Sequence, residues 1–198
     1  MAILVMFEAV GSTQEQYVAT NDALGIRGDD DAPDGLITHV AGLSDDGVLV
    51  VDVWDSKENM ESFFNERLRA ALDAAGLAAG EPTILPVHNV IPQGAGKTAG
   101  TLVVIAIDGF STDDYDAMAS RMDAHTGDQS AHPAVQHVAA VDGTGMLVVD
   151  VWESPAAFAE FAETQIKPTA EAAGLSAAIE PRILPAIGRL RGAASVAT

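Results

Sequence analysis

The chain has 198 residues, no cysteine, and 29 acidic against 10 basic side chains, a formal net charge of −19. That balance excludes nucleic acid and anionic membrane surfaces, which need clustered Lys and Arg, and the missing cysteine removes disulfides, thiolate metal sites and thiol nucleophiles. A hydrophobic fraction of 48% with a mean hydropathy of +0.18 fits a folded chain with a core, while no run nears the roughly 20 apolar residues of a membrane span.

Ala2 to Val10 is an apolar, β-branched run closed by Gly11, and reads as a strand buried on both faces. It is too short for a signal segment and meets Glu8 at once, so a cytoplasmic location is expected. Ser12 or Thr13 caps a helix with Glu15 or Gln16 in its first turn. The acidic stretch from Gly28 to Gly35 lacks the spacing of a calcium loop and reads as a solvated connection. Leu36 to Leu43 and Val48 to Trp54 then form a hairpin around Ser44-Asp45-Asp46-Gly47. Ser56 caps a second helix whose Met60, Phe63, Phe64, Leu68 and Leu72 make one apolar face, and Gly76 stops it. A last strand spans Thr83 to Ile91, with Pro86 suiting an edge or a bulge.

The same series then recurs. Gly47 to Ser56 reads G-V-L-V-V-D-V-W-D-S, and Gly145 to Ser154, 98 residues later, reads G-M-L-V-V-D-V-W-E-S. At the same offset His39-Val40-Ala41 returns as His137-Val138-Ala139, and Tyr17 as Tyr115; both tyrosines read as packing residues of their helices. The second series has a strand from Thr101 to Ile107, a helix capped by Ser111 or Thr112, and a hairpin of Val135–Val141 and Met146–Trp152. Ser154-Pro155 then caps a helix bearing Phe158, Phe161 and Ile166, Gly174 stops it, and Arg182 to Leu190 is the last strand. The chain is one unit written twice: residues 1–92, a linker at 93–99, and residues 100–198. Within the linker, Gly94-Ala95-Gly96-Lys97-Thr98 lacks the first glycine and the following helix of a phosphate loop.

Each half is thus β-α-β-β-α-β, a ferredoxin-like unit. With V-x-V-W-[DE]-S ahead of a Phe-bearing helix in both halves, the chain resembles a tandem fusion of two dimeric α+β barrel units, of the antibiotic-biosynthesis-monooxygenase-like group. The resemblance implies an α+β fold in which two ferredoxin-like units form an intramolecular barrel of antiparallel sheets, with helices outside and a substrate cavity between the sheets. It also implies that Trp54 and Trp152 line a substrate site. Haem-degrading members carry a histidine about ten residues after a similar tryptophan, where this chain has Phe64 and Ala162. Haem degradation is therefore not expected.

The hairpin register carries the candidate chemistry. Pairing Leu43 with Val48 sets His39 opposite Asp52, and pairing Val141 with Met146 sets His137 opposite Asp150. Opposed side chains lie close enough for an imidazole–carboxylate hydrogen bond, and alternation adds Trp54 and Trp152 to the same faces. Because Leu49, Val51 and Val53 look apolar enough to lie under the helices, the His–Asp–Trp face is expected to point into the barrel. The halves would then pack face to face about a pseudo-twofold axis, burying Val48, Val50, Met146 and Val148 between the sheets. Each His–Asp pair reads either as a general base or as a satisfied buried pair that fixes register. His88, whose counterpart is Ile187, would serve a substrate site in one half only.

The expectation is a cavity enzyme acting on a small apolar or aromatic, polyketide-like molecule, as a cofactor-free monooxygenase. The alternatives are a proton-transfer isomerase or cyclase, and a ligand-binding barrel without catalysis. No metal is expected from one His and one Asp per half, and His125 and His132 in the second-half loop carry little weight. A monomer with internal pseudo-symmetry, or a weak homo-oligomer, follows from the fusion. The two sites are expected to be unequal, since Glu8 becomes Ala106 and Phe64 becomes Ala162.

Overall fold

The computed structural model describes residues 1–78, 80–91, 97–122, 133–174 and 180–195. His125, His132 and most of the linker lie outside them. In chain order the first repeat gives β1 (Ile3–Val10), α1 (Gln14–Leu24), β2 (Leu36–Ser44), β3 (Gly47–Trp54), α2 (Lys57–Phe63), α3 (Arg69–Ala74) and β4 (Thr83–Ile91). The second gives β5 (Thr101–Ile107), α4 (Thr112–Arg121), β6 (Gln136–Asp142), β7 (Gly145–Trp152), α5 (Pro155–Phe161), α6 (Lys167–Ala172) and β8 (Arg182–Arg191). The fold is α+β, and antiparallel hydrogen bonding links β4-β1-β3-β2-β8 in one sheet and β5-β7-β6-β4 in the other.

Local chemistry explains the boundaries. Thr13 caps α1 in a reciprocal box with Gln16, and Ser111 does the same for α4 with Asp114. Ser56 caps α2 through the Asn59 amide, and Ser154 caps α5 ahead of Pro155. Gly47 opens β3 at φ 141, where a Cβ would sit 2.2 Å from the Ala9 carbonyl oxygen, so the hairpin needs a glycine there. The apolar helix after β3 is not one regular helix. A π turn, Phe64–Leu68, joins α2 to α3, and a second, Ala162–Ile166, joins α5 to α6 at the same place in the repeat. Single π turns of this kind are frequent at functional sites.

By contacts the chain forms two compact units, Met1–Pro86 with Leu184–Thr198, and Val87–Ile183. Each unit takes its last strand from the other repeat. In the first unit β3 pairs with both β1 and β2, the start of β4 adds beside β1, and β8 adds beside β2. In the second, β7 pairs with β5 and β6, and Val87–Ile91 of β4 adds beside β6. Pro86 stands where β4 leaves β1, and the bulge expected near it falls between Val87 and Asn89. Among the described residues, no helix is long and apolar enough to cross a membrane.

Candidate active site

The β2–β3 hairpin has the register read from the sequence: Leu43 pairs with Val48 and His39 with Asp52. Across it His39 Nδ1 lies 2.7 Å from Asp52 Oδ1. The second hairpin repeats this, with Val141 opposite Met146 and His137 opposite Asp150, and His137 Nδ1 is 2.7 Å from Asp150 Oδ1.

The face they occupy is the reverse of the one expected. Val48, Val50, Asp52 and Trp54 look toward the helices of their own unit and line a cavity there with residues of α1, α2 and α3. They are not an intersheet layer. Apolarity could not decide this, because both faces of β3 are buried: Leu49, Val51 and Val53 on the other side are 1%, 2% and 1% exposed.

Covering the polar face with α1 brings a third group to each pair. The Tyr17 hydroxyl lies 2.8 Å from His39 Nε2, with the two rings parallel to within 3°. Tyr115 does the same to His137 at 2.6 Å. A carboxylate only accepts, so Nδ1 of each histidine carries the proton and Nε2 is the acceptor of the tyrosine hydroxyl. The order is tyrosine to histidine to aspartate, each donating to the next. Burial holds the Tyr17 phenol above its usual range; the Asn21 amide opposes this and the Asp52 charge adds to it. Tyr115 is pushed well up, again by burial first, with Asn89 opposing and Asp150 and Asp116 adding. The reading of both tyrosines as packing residues therefore missed two members of the site. Their return at the repeat offset was the signal.

The two copies differ in depth. His137 and Asp150 are 10% and 8% exposed by side chain, against 12% and 18% for His39 and Asp52. Trp54 packs on Phe63, and Trp152 on Phe158 and Phe161. Both indole N–H groups are buried without a protein hydrogen-bond partner. His88 does not reach the first-unit cavity. It belongs to the second unit, where Nε2 lies 2.8 Å from Asp116 Oδ1 and the ring stands edge-on to Tyr115. Its neighbour Asn89 donates to the Tyr115 oxygen at 3.0 Å.

The first-unit cavity holds about 130 Å³. Tyr17, Asn21, His39 and Asp52 supply polar groups to a wall otherwise built mainly from apolar side chains such as Trp54 and Phe63, and no Lys or Arg lines it. Two further polar liners are spent on their own backbone: Ser12 Oγ donates to the Ala9 carbonyl, and Thr20 Oγ1 to that of Gln16. Among the described residues no three His, Asp or Glu side chains gather as a metal site. The arrangement can take a proton from a neutral ligand, since Tyr17 accepts at oxygen while passing its own hydrogen to His39.

No family model and no curated protein matches the sequence. Solved structures share the fold along nearly the whole chain. A candidate monooxygenase from Lactobacillus acidophilus NCFM is 10% identical with a TM-score of 0.66, covering 96% of this chain and 95% of its own. A second candidate monooxygenase, from Fusobacterium nucleatum subsp. nucleatum, is 9% identical at TM-score 0.62, covering 96% and 93%. An anthrone oxidase-like protein is 16% identical at TM-score 0.52, covering 95% and 91%. At these identities the likeness shows the ferredoxin-like barrel fold that these monooxygenase-like proteins share.

Proposed function

We propose that the first unit binds a neutral, one-ring phenol or comparable aromatic molecule and activates it for reaction with dioxygen without a bound cofactor. The observation that carries this reading is the Tyr17–His39–Asp52 chain on the wall of a largely apolar cavity. An apolar cavity of roughly 150 Å³ takes benzene, so about 130 Å³ suits one ring. The carboxylate of Asp52 and the lack of lining cations favour an uncharged ligand over a carboxylate or phosphate.

In this reading the substrate's acidic hydrogen passes to the Tyr17 oxygen as the Tyr17 proton moves to His39 Nε2. Asp52 stabilises the imidazolium that results. The substrate anion then gives electrons to dioxygen. For an activated ring CH₂ the balance is CH₂ plus O₂ to C=O plus H₂O, one oxygen atom entering the product and the other leaving as water. Trp54 and Phe63 would flank the ring. The candidate monooxygenases and the anthrone oxidase-like protein that share the fold support oxygen chemistry in such a barrel.

Oxygen uptake by the purified chain with one-ring hydroquinones and cyclic enones, above their spontaneous oxidation, tests the reading. His39→Ala should lower the rate by about 100-fold or more. Bound phenol with no uptake above the buffer rate would refute oxygenation. Hydrogen exchange of the substrate with D₂O under nitrogen, without uptake, would assign the site to an isomerase or cyclase instead.

A further inference from the structure

We propose that an asparagine amide on the tyrosine oxygen is a positioning part of the chain in both units, supplied from α1 by Asn21 in the first and from β4 by Asn89 in the second. The inference rests on the tyrosine–histidine–aspartate reading of the site, not on the reaction assigned to it.

Two aligned positions differ between the repeats. At the repeat offset Asn21 corresponds to Ala119. Past the one-residue insertion that aligns Ile84-Leu85-Pro86 with Ile183-Leu184-Pro185, Asn89 corresponds to Gly188. Each unit therefore has one asparagine and one minimal residue beside its tyrosine, in opposite places. In the first unit Asn21 stands one helical turn after Tyr17 and lines the same cavity, and its amide opposes the rise in the Tyr17 pKa as a donor would. The strand position is Gly188, where a Cβ would lie 2.0 Å from Tyr17 Oη, so no side chain fits there while the hydroxyl holds its place. In the second unit Asn89 Nδ2 donates to Tyr115 Oη at 3.0 Å, and the helix position is the buried Ala119.

Chemistry says why the donor would be kept although its source has moved. The tyrosine hydrogen is committed to histidine Nε2, leaving only lone pairs on the oxygen. An amide N–H fills one of them and cannot itself take a proton, so the hydroxyl hydrogen stays aimed at the histidine. Donation into the oxygen also strengthens O–H as a donor and opposes the burial and the nearby carboxylates, Asp52 in one unit and Asp150 with Asp116 in the other. His39 faces Tyr17, and both His137 and His88 face Tyr115.

The test uses the whole chain and needs no turnover, so it stands apart from any failure of the oxygenase reading. Asn89→Gly should shift the hydroxyl proton resonance of Tyr115 upfield and change the ¹⁵N shift of His137 Nε2. Adding Ala119→Asn, which copies the first unit's arrangement, should return both signals toward the wild-type values. Unmoved signals in Asn89→Gly, or no return in the double variant, would overturn the proposal. Asn21→Ala gives an arm free of folding risk, since alanine is the best helix residue and the second unit already carries it there. The chain has two tyrosines, and burial raises Tyr115 more than Tyr17, so the absorbance change at 295 nm reads Tyr17 first. Asn21→Ala should move that ionisation to higher pH. An unchanged curve would equally overturn the proposal.

Discussion

Replacing Gly188 by alanine is a small change with a sharp consequence. In an ordinary strand, alanine is the better residue by about 0.5–1 kcal/mol because glycine loses more freedom on folding. Here the new Cβ would lie 2.0 Å from Tyr17 Oη, 2.6 Å from Cζ and 2.7 Å from Cε1. Reaching even a tight contact of about 3.0 Å requires the hydroxyl to retreat by roughly 1 Å. Its bond to His39 Nε2 is 2.8 Å long, so a retreat away from the imidazole carries it past the roughly 3.5 Å at which a hydrogen bond is lost. An unmade bond at this partly buried site costs about 1–3 kcal/mol. Set against the strand gain, Gly188→Ala should destabilise the chain by about 0.5–2 kcal/mol. Urea unfolding followed by tryptophan fluorescence measures it. Gly28→Ala, at a site of extended φ with nothing within 4 Å of the added carbon, is the control and should be near neutral. A Gly188→Ala chain as stable as the wild type, with the Tyr17 hydroxyl proton unshifted, would refute the steric argument.

Three other outcomes are expected. His137→Ala should cost about 3–5 kcal/mol, the range for breaking a buried pair, and more than His39→Ala, because Asp150 is 8% exposed where Asp52 is 18%; equal losses in urea would contradict this. Both tyrosines keep their protons in the fold beyond the pH of about 10 at which an unfolded tyrosine ionises. Their contribution is complete below that pH and is lost as pH rises through the folded values. Unfolding midpoints between pH 9 and 11 should therefore fall, and fall less in Tyr115→Phe; parallel curves would count against it. Val50→Phe places a ring in the cavity of about 130 Å³, at an overpacking cost of about 1–3 kcal/mol. It should abolish phenol binding, followed by NMR, while cooperative unfolding persists, and retained binding would place the ligand elsewhere.

What could be read without the structure was local or periodic. The repeat, the capping sites at Ser12 or Thr13, Ser56, Ser111 or Thr112, and Ser154, and the opposition of His39 to Asp52 follow from short-range rules, since a tight turn and a period of two set register. The tertiary structure decided what those rules do not contain. Both faces of β3 are apolar enough to be buried, so only the docking of α1 shows that the Asp52 and Trp54 face meets the helices. That docking carries the Tyr17 hydroxyl onto an imidazole 22 residues away. The glycine that makes room for it, Gly188, arrives from the other repeat, because β8 pairs with β2. Contacts between distant segments depend on how whole faces bury their apolar area against one another, and that energy is shared by many residues, with no spacing in the chain to record it.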